Sequence, residues 1–213
     1  MNGLLTLVVV LMMQLLWWFG IHGPNVMGAV TSPFMTKMMA QNLALYQAGE
    51  GVTASGVFYT AGSQYSIIFG PFGSGWFSPT GSGITMGLII AVMLFSKRDD
   101  FKAIAKLAIP CGIFNINEPI IFDIPMVMNA LFAVPFFLAP IACVCCGYLV
   151  QSLGLCPLFV IDVPWTTPVG LFGFLASSGN IMGAIWQAVI ILGVSTLIYT
   201  PFVIAANRQA EEA

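Results

Sequence analysis

Glu118 is the residue whose type and setting first point to chemistry. It stands in Asn115-Ile116-Asn117-Glu118-Pro119, between the apolar pairs Ile113-Phe114 and Ile120-Ile121. An ionisable side chain in an apolar wall is costly and by default marks a functional position. Pro119 lacks a backbone donor and frees carbonyls nearby, while Asn115 and Asn117 add amide donors and acceptors. The group reads as a small hydrogen-bonding nest; the structural alternative is that Glu118 caps a broken helix. A carboxylate so placed can orient a hydroxyl or accept its proton.

Three other positions enter with it. His22 is the single histidine. A neutral imidazole offers one donor and one acceptor, which suits a hydroxyl, although a lone His is often structural. Trp165 lies in Val163-Pro164-Trp165-Thr166-Thr167-Pro168; its face can stack on the apolar face of a ring ligand, or it is a membrane-interface Trp. Asp123 and Asp162 each precede a proline by two residues. They either line a cavity or, as favoured here, cap the half-helices that follow. Cys111, Cys143, Cys145, Cys146 and Cys156 sit in or beside apolar runs. With one histidine and no metal-ligand spacing, they read as small buried apolar residues, and no metal site or cofactor is expected.

The elements holding these residues are apolar and repeatedly interrupted. The hydropathy pattern predicts spans over Leu4–Phe19, Ile84–Phe95 and Ile181–Ala206. The cluster Gly20–Asn25 ends the first, because Gly and Pro cannot continue a regular helix. No basic segment precedes the first run, which argues against a cleaved signal peptide. Val30–Gln47 reads as an amphipathic interfacial helix with Lys37 and Gln41 on its polar side, and Gly70–Gly83 as a loop. Asn115–Pro125 and Ile161–Pro168 share an acid-x-Pro pattern. Broken backbone at membrane depth must be buried in protein or line a wet cavity, and paired broken segments point to a binding site. Gly83-x-x-x-Gly87 and Gly179-x-x-x-Gly183 match a helix close-packing motif that is also expected by chance in a chain with 22 glycines.

Composition sets the class. Of 213 residues, 59% are hydrophobic and only 7% charged, against about 25% charged in soluble domains. A soluble surface and intrinsic disorder are both excluded, and unbroken apolar runs argue against a transmembrane barrel. A net charge of −2 offers no basic face for nucleic acid. The expected fold is an all-α membrane protein: a polytopic helical bundle with two re-entrant, broken-helix hairpins and one interfacial helix, forming a single membrane domain over 1–213. Lys97, Arg98, Lys102 and Lys106 cluster, so by the positive-inside rule the Lys97–Lys106 loop is cytoplasmic, and Arg208 suggests the same for the C-terminus.

The run Asn115-Ile116-Asn117-Glu118-Pro119-Ile120-Ile121-Phe122-Asp123-Ile124-Pro125 resembles the enzyme IIC permease of the bacterial phosphoenolpyruvate-dependent phosphotransferase systems. The likeness is to the lactose/cellobiose/diacetylchitobiose branch. Trp18-Phe19-Gly20-Ile21-His22-Gly23, Val163–Pro168 and Leu197-Ile198-Tyr199-Thr200-Pro201-Phe202 agree in order. The resemblance implies a multi-pass protein of the bacterial plasma membrane that translocates a disaccharide. It implies that Glu118, His22, Asn117 and Trp165 bind the sugar, with Glu118 beside the 6-hydroxyl that becomes phosphorylated. The donor would be a phosphocysteine on a separate IIB subunit, docking beside Lys97–Lys106 and charged through a IIA subunit. Family members are longer homodimers, and this chain is similar to their C-terminal half; the half that makes most of the dimer interface is not in it. A split transporter and a truncated, non-transporting remnant are therefore both open. On the residues alone, a proton-coupled secondary sugar transporter with Glu118 as proton carrier is an equal alternative.

Overall fold

The computed structural model describes residues 3–68, 70–124 and 126–212. Among them the chain is almost wholly helical. Helix α1 (Gly3–Trp18) and α2 (Gly23–Gln47) come first, then a minimal antiparallel hairpin of β1 (Val52–Thr53) and β2 (Gly56–Val57). Next are α3 (Gly70–Trp76), α4 (Met86–Phe95), α5 (Asp99–Ile113) and the short α6 (Glu118–Asp123). Helix α7 (Ala130–Ser152), the short α8 (Leu171–Ala176) and α9 (Ile181–Ala188) follow; α9 runs through a π-helical turn, Val189–Val194, into α10 (Ser195–Glu212). Two helices among the described residues are long and apolar enough to cross a membrane, Ala130–Ser152 and the continuous Ile181–Glu211.

Packing follows the apolar residues. Helix α4 is covered by α5 and α10, and α10 also packs on α7. Leu88, Ile89, Phe132, Phe136 and Tyr199 fill the core between them. A second core gathers α1, α3, α7 and α8 around Trp76, whose ring stacks on Phe159 at 5.2 Å. Gly87 is required where α4 meets α10: a Cβ there would overlap the Ser195 side chain. This is the close approach that the small-residue motif describes.

The irregular segments between helices are tied down by buried carboxamides. A backbone N–H or C=O removed from water must find a partner, and Asn and Gln carry both a donor and an acceptor. Asn42 accepts from the Ser66 N–H (2.9 Å) and donates to the Ser66 carbonyl (2.7 Å). Gln187 accepts from the N–H groups of Gly170 (2.9 Å) and Gly173 (2.8 Å). Gln151 donates to the Pro157 carbonyl at 2.9 Å. Asn207 of α10 donates to the Phe95 carbonyl and accepts from the Lys97 N–H, both at 2.9 Å. Those last bonds hold the α4–α5 link against the C-terminal helix, where Lys97 also pairs with Glu211 at 3.0 Å. Beside it, Arg98 lies 3.7 Å over the Phe101 ring and binds Asp100, holding that carboxyl below the usual carboxylate range.

Several expectations are corrected. The fold is not purely helical, since Thr53 and Gly56 close a small hairpin. Gly70–Gly83 is not all loop: Gly70–Trp76 is helix, because Pro71 suits a first turn and Phe72 and Trp76 bury one face. Lys97–Lys106 is not all loop: only Lys97 and Arg98 lie outside helix, which runs from Asp99, where two leading acids favour a helix N-terminus. Helix α2 begins at Gly23 and is not amphipathic. Val26, Val30 and Phe34 fall at helical spacing on the same exposed side as Lys37 and Gln41. Asp123 and Asp162 are not N-caps: Asp123 ends α6, Asn129 caps α7, and Gly170 stands at the cap of α8. The cysteines divide: Cys143 and Cys156 are buried as expected, but Cys145 is exposed.

Candidate functional site

Asn115 organises the region around Glu118. It sits at φ 66, just after α5, a left-handed conformation that Asn tolerates better than most residues. Its carboxamide oxygen accepts from the Thr80 N–H at 2.6 Å. Its amide nitrogen donates to the carbonyls of Trp165 and Thr167, the second at 3.0 Å. One buried side chain thus joins both proline-broken stretches to the turn before α4. That turn is strained: Thr80 (φ 61) and Ile84 (φ 53) are β-branched residues at positive φ, each costing of the order of 1–3 kcal/mol. Hydrogen bonds hold it. The Thr85 hydroxyl donates to the Thr80 carbonyl at 3.0 Å. Gln14 accepts from the Gly83 N–H (2.9 Å), and the Tyr199 hydroxyl donates to the Gly83 carbonyl (2.7 Å).

Asn117 is buried at the N-cap of α6 and donates to the Ser82 carbonyl at 2.6 Å. Gly81 (φ 85) permits this, since a Cβ there would overlap the Asn117 carboxamide. Asn117 therefore holds the loop that presents Glu118. Glu118 opens α6, half-buried, with no hydrogen-bond or ion-pair partner for its carboxylate among the described residues. The capping alternative for Glu118 is corrected: Asn117 stands at the cap, and the Glu118 carboxylate makes no capping bond among the described residues.

His22 is exposed and caps α2, its Nδ1 accepting from the Asn25 N–H at 3.3 Å. In the neutral ring this leaves Nε2–H as a donor. The His22 ring lies 4.9 Å from Trp17, and Trp17 lies 6.4 Å from Phe122. Phe122 is one turn beyond Glu118 on α6, so the two share a helix face. The N-terminal His-Gly element and the Asn-Glu-Pro element therefore meet through two aromatic rings. Trp165 is 61% exposed, tied through its backbone carbonyl and not through its indole.

Reasoning from the sequence missed Trp17, Thr80, Ser82 and Gly81. The indole nitrogen of Trp17 and the hydroxyl of Ser82 are buried without a partner among the described residues. Gln14, a polar residue in the first apolar run, was the available signal. No cluster of His, Cys, Asp and Glu able to hold a metal occurs among the described residues.

An apolar helical bundle is broken by strained and proline-interrupted segments that meet at Asn115, beside the Glu118 helix. The chain belongs to the phosphotransferase system EIIC family, whose model matches residues 1–140. It is 37% identical to the "PTS system cellobiose-specific EIIC component" of Lactococcus lactis subsp. lactis (strain IL1403), over 96% of this chain and 43% of that protein. It is 34% identical to the "PTS system oligo-beta-mannoside-specific EIIC component" of Bacillus subtilis (strain 168), over 95% of this chain and 43% of that one. Among solved structures it matches the transporter ChbC, the IIC component from the N,N'-diacetylchitobiose-specific phosphotransferase system. That match has a TM-score of 0.86 and 34% identity, covering 97% of this chain and 46% of ChbC. The chain thus spans less than half the length of these relatives.

Proposed function

We propose that this chain is the sugar-binding part of a phosphoenolpyruvate-dependent phosphotransferase permease, taking a disaccharide of the cellobiose, lactose or diacetylchitobiose type. The observation that carries this is the free Glu118 carboxylate on an element that Asn115 ties to the Trp165 stretch and that Trp17 and Phe122 link to His22. Relatives named for cellobiose and lactose, and the likeness to ChbC, support the substrate class.

In this reading α6 and α8, with their flanking irregular chain, form two re-entrant hairpins lining a polar site. The sugar's hydroxyls meet Glu118 and His22, and the exposed Trp165 ring stacks on the apolar sugar face. Asn117 lines the pocket and steadies it. The donor is a phosphocysteine on a IIB subunit, recharged by IIA, approaching the Lys97-Arg98 link from the cytoplasm. The S–P bond breaks and the O6–P bond forms; the thiolate stays on IIB and the hydroxyl proton passes to Glu118. The anionic product is then held less well by an acidic site.

Uptake of radiolabelled cellobiose in cells supplying IIA and IIB tests this. It should depend on phosphoenolpyruvate and IIB and survive collapse of the proton gradient. Glu118→Gln should keep part of the sugar binding but lower phosphorylation-coupled uptake by about 10²–10⁴-fold, the usual contribution of a general base. Full uptake by that variant would overturn the role given to Glu118. Loss of uptake on collapsing the gradient, with phosphoenolpyruvate present, would favour proton coupling.

A further inference from the structure

An apolar cavity of about 400 Å³ runs along α4 and α5, lined mainly by Met86, Ile90, Leu94, Ile109 and Ile113, with Thr80 and Pro168 at the end nearest Asn115, and with Glu118 not in its wall. It opens to the outside of the bundle. Gly112, near the end of α5, lies against Met86 and Ile89 near the start of α4. The two helices therefore run antiparallel, and the first turns of α5 lie beside Leu94.

The charges at that end complete the feature. Lys102, Lys106, Ile109 and Ile113 follow at spacings of four, three and four, one stripe of a helix. Two lysines thus continue the stripe whose isoleucines line the cavity. Neither makes an ion pair among the described residues, whereas Lys97 pairs with Glu211 and Arg98 with Asp100. Asp99 stands one turn before Lys102, farther from the cavity. A membrane groove that is apolar along its depth and cationic at its mouth complements an anionic phospholipid. An acyl chain gains by burying each methylene, and the headgroup phosphate meets the two free ammonium groups.

We propose that this groove is a specific site for an anionic glycerophospholipid, with an acyl chain between α4 and α5 and the phosphate on Lys102 and Lys106. The assignment requires the membrane setting and not the sugar chemistry, so it stands or falls apart from the transport reading.

The test is displacement of a fluorescent phosphatidylglycerol from the purified full chain in neutral detergent. Unlabelled phosphatidylglycerol should displace it at least tenfold better than phosphatidylcholine, and glycerol 3-phosphate should not displace it. Lys102→Gln and Lys106→Gln should each weaken phosphatidylglycerol about fivefold and leave phosphatidylcholine unchanged. Lys97→Gln should change neither. Ile90→Trp, which fills the cavity, should weaken both lipids; the lysine variants, Lys106 exposed and Lys102 half-buried, keep the test decisive if Ile90→Trp misfolds. Equal displacement by the two lipids would overturn the proposal. So would an unchanged preference in the double lysine variant, or displacement by glycerol 3-phosphate, which marks a free-phosphate site. A change in oligomeric mass on filling the groove, without a change in lipid binding, would make it a protein interface and overturn the proposal too.

Discussion

Asn115 shows how one side chain can organise a site that it need not touch. Its carboxamide serves the Thr80 N–H and the Trp165 and Thr167 carbonyls, and its backbone sits at φ 66. Asn115→Leu keeps the branching at Cγ but is bulkier, is strained at φ 66, and strands three backbone groups, each worth about 1–3 kcal/mol when buried without a partner. The expected loss is about 3 kcal/mol or more in unfolding free energy, read by thermal or denaturant unfolding in detergent. A change under about 0.5 kcal/mol, the range of an ordinary surface substitution, would show that the three bonds are dispensable. Glu118 was legible in the sequence because a carboxylate in an apolar run has few bland explanations. Thr80 and Ser82 were not, since an ordinary Thr or Ser in a Gly-rich stretch gives no sign of strain or burial. His22 takes the structural role, capping α2 through Nδ1 beside Trp17, and its contact with a sugar hydroxyl is the proposal.

At the scale of elements, apolar composition predicted helices well and their ends poorly. Gly3–Trp18 and the last long helix fall close to the expected spans. Helix α3 was read as loop because four of its residues are Gly or Pro; burial of Phe72 and Trp76 overrides that weak propensity. Helix α5 was read in part as loop because its charges were taken as solvated, when they decorate a helix start. The α4–α10 contact rests on Gly87. Gly87→Ala should cost about 1–3 kcal/mol by overpacking against Ser195. Gly28→Ala, with open space around it in α2, should be neutral or slightly stabilising. Melting temperatures of the two variants measured side by side decide it; equal values would mean that α4 and α10 have room to give.

For the whole molecule, the α4–α5 link and the end of α10 are bound together through Asn207 and the Lys97–Glu211 pair. Both must therefore face the same side of the bilayer. By the positive-inside rule applied to the basic cluster, we propose that this side is the cytoplasmic one. In a cysteine-free background, Lys97→Cys and Arg208→Cys should both react with a membrane-impermeant maleimide in inverted vesicles and neither in intact cells. Labelling of the two from opposite faces would contradict the packing, and labelling of both from outside would reverse the orientation.

While Gly3–Trp18 and Met86–Phe95 are shorter helices than a full crossing needs, the amino-acid sequence alone pointed to the membrane class, to the last long helix and to Glu118 as the acid worth testing. These follow from the transfer cost of charged and apolar groups, which is local and additive along the chain. The tertiary structure decided which broken segments meet, and that one carboxamide joins three of them. It also showed that Trp17 and Phe122 bridge His22 to the Glu118 helix, and that Lys102 and Lys106, without ion pairs among the described residues, share a helix stripe with the groove's isoleucines. Those outcomes depend on partners tens of residues apart in the chain, such as Asn115 with Trp165 or Gln14 with Gly83. A buried polar group takes whichever partner packing brings near, and spacing along one strand of sequence carries no record of that choice.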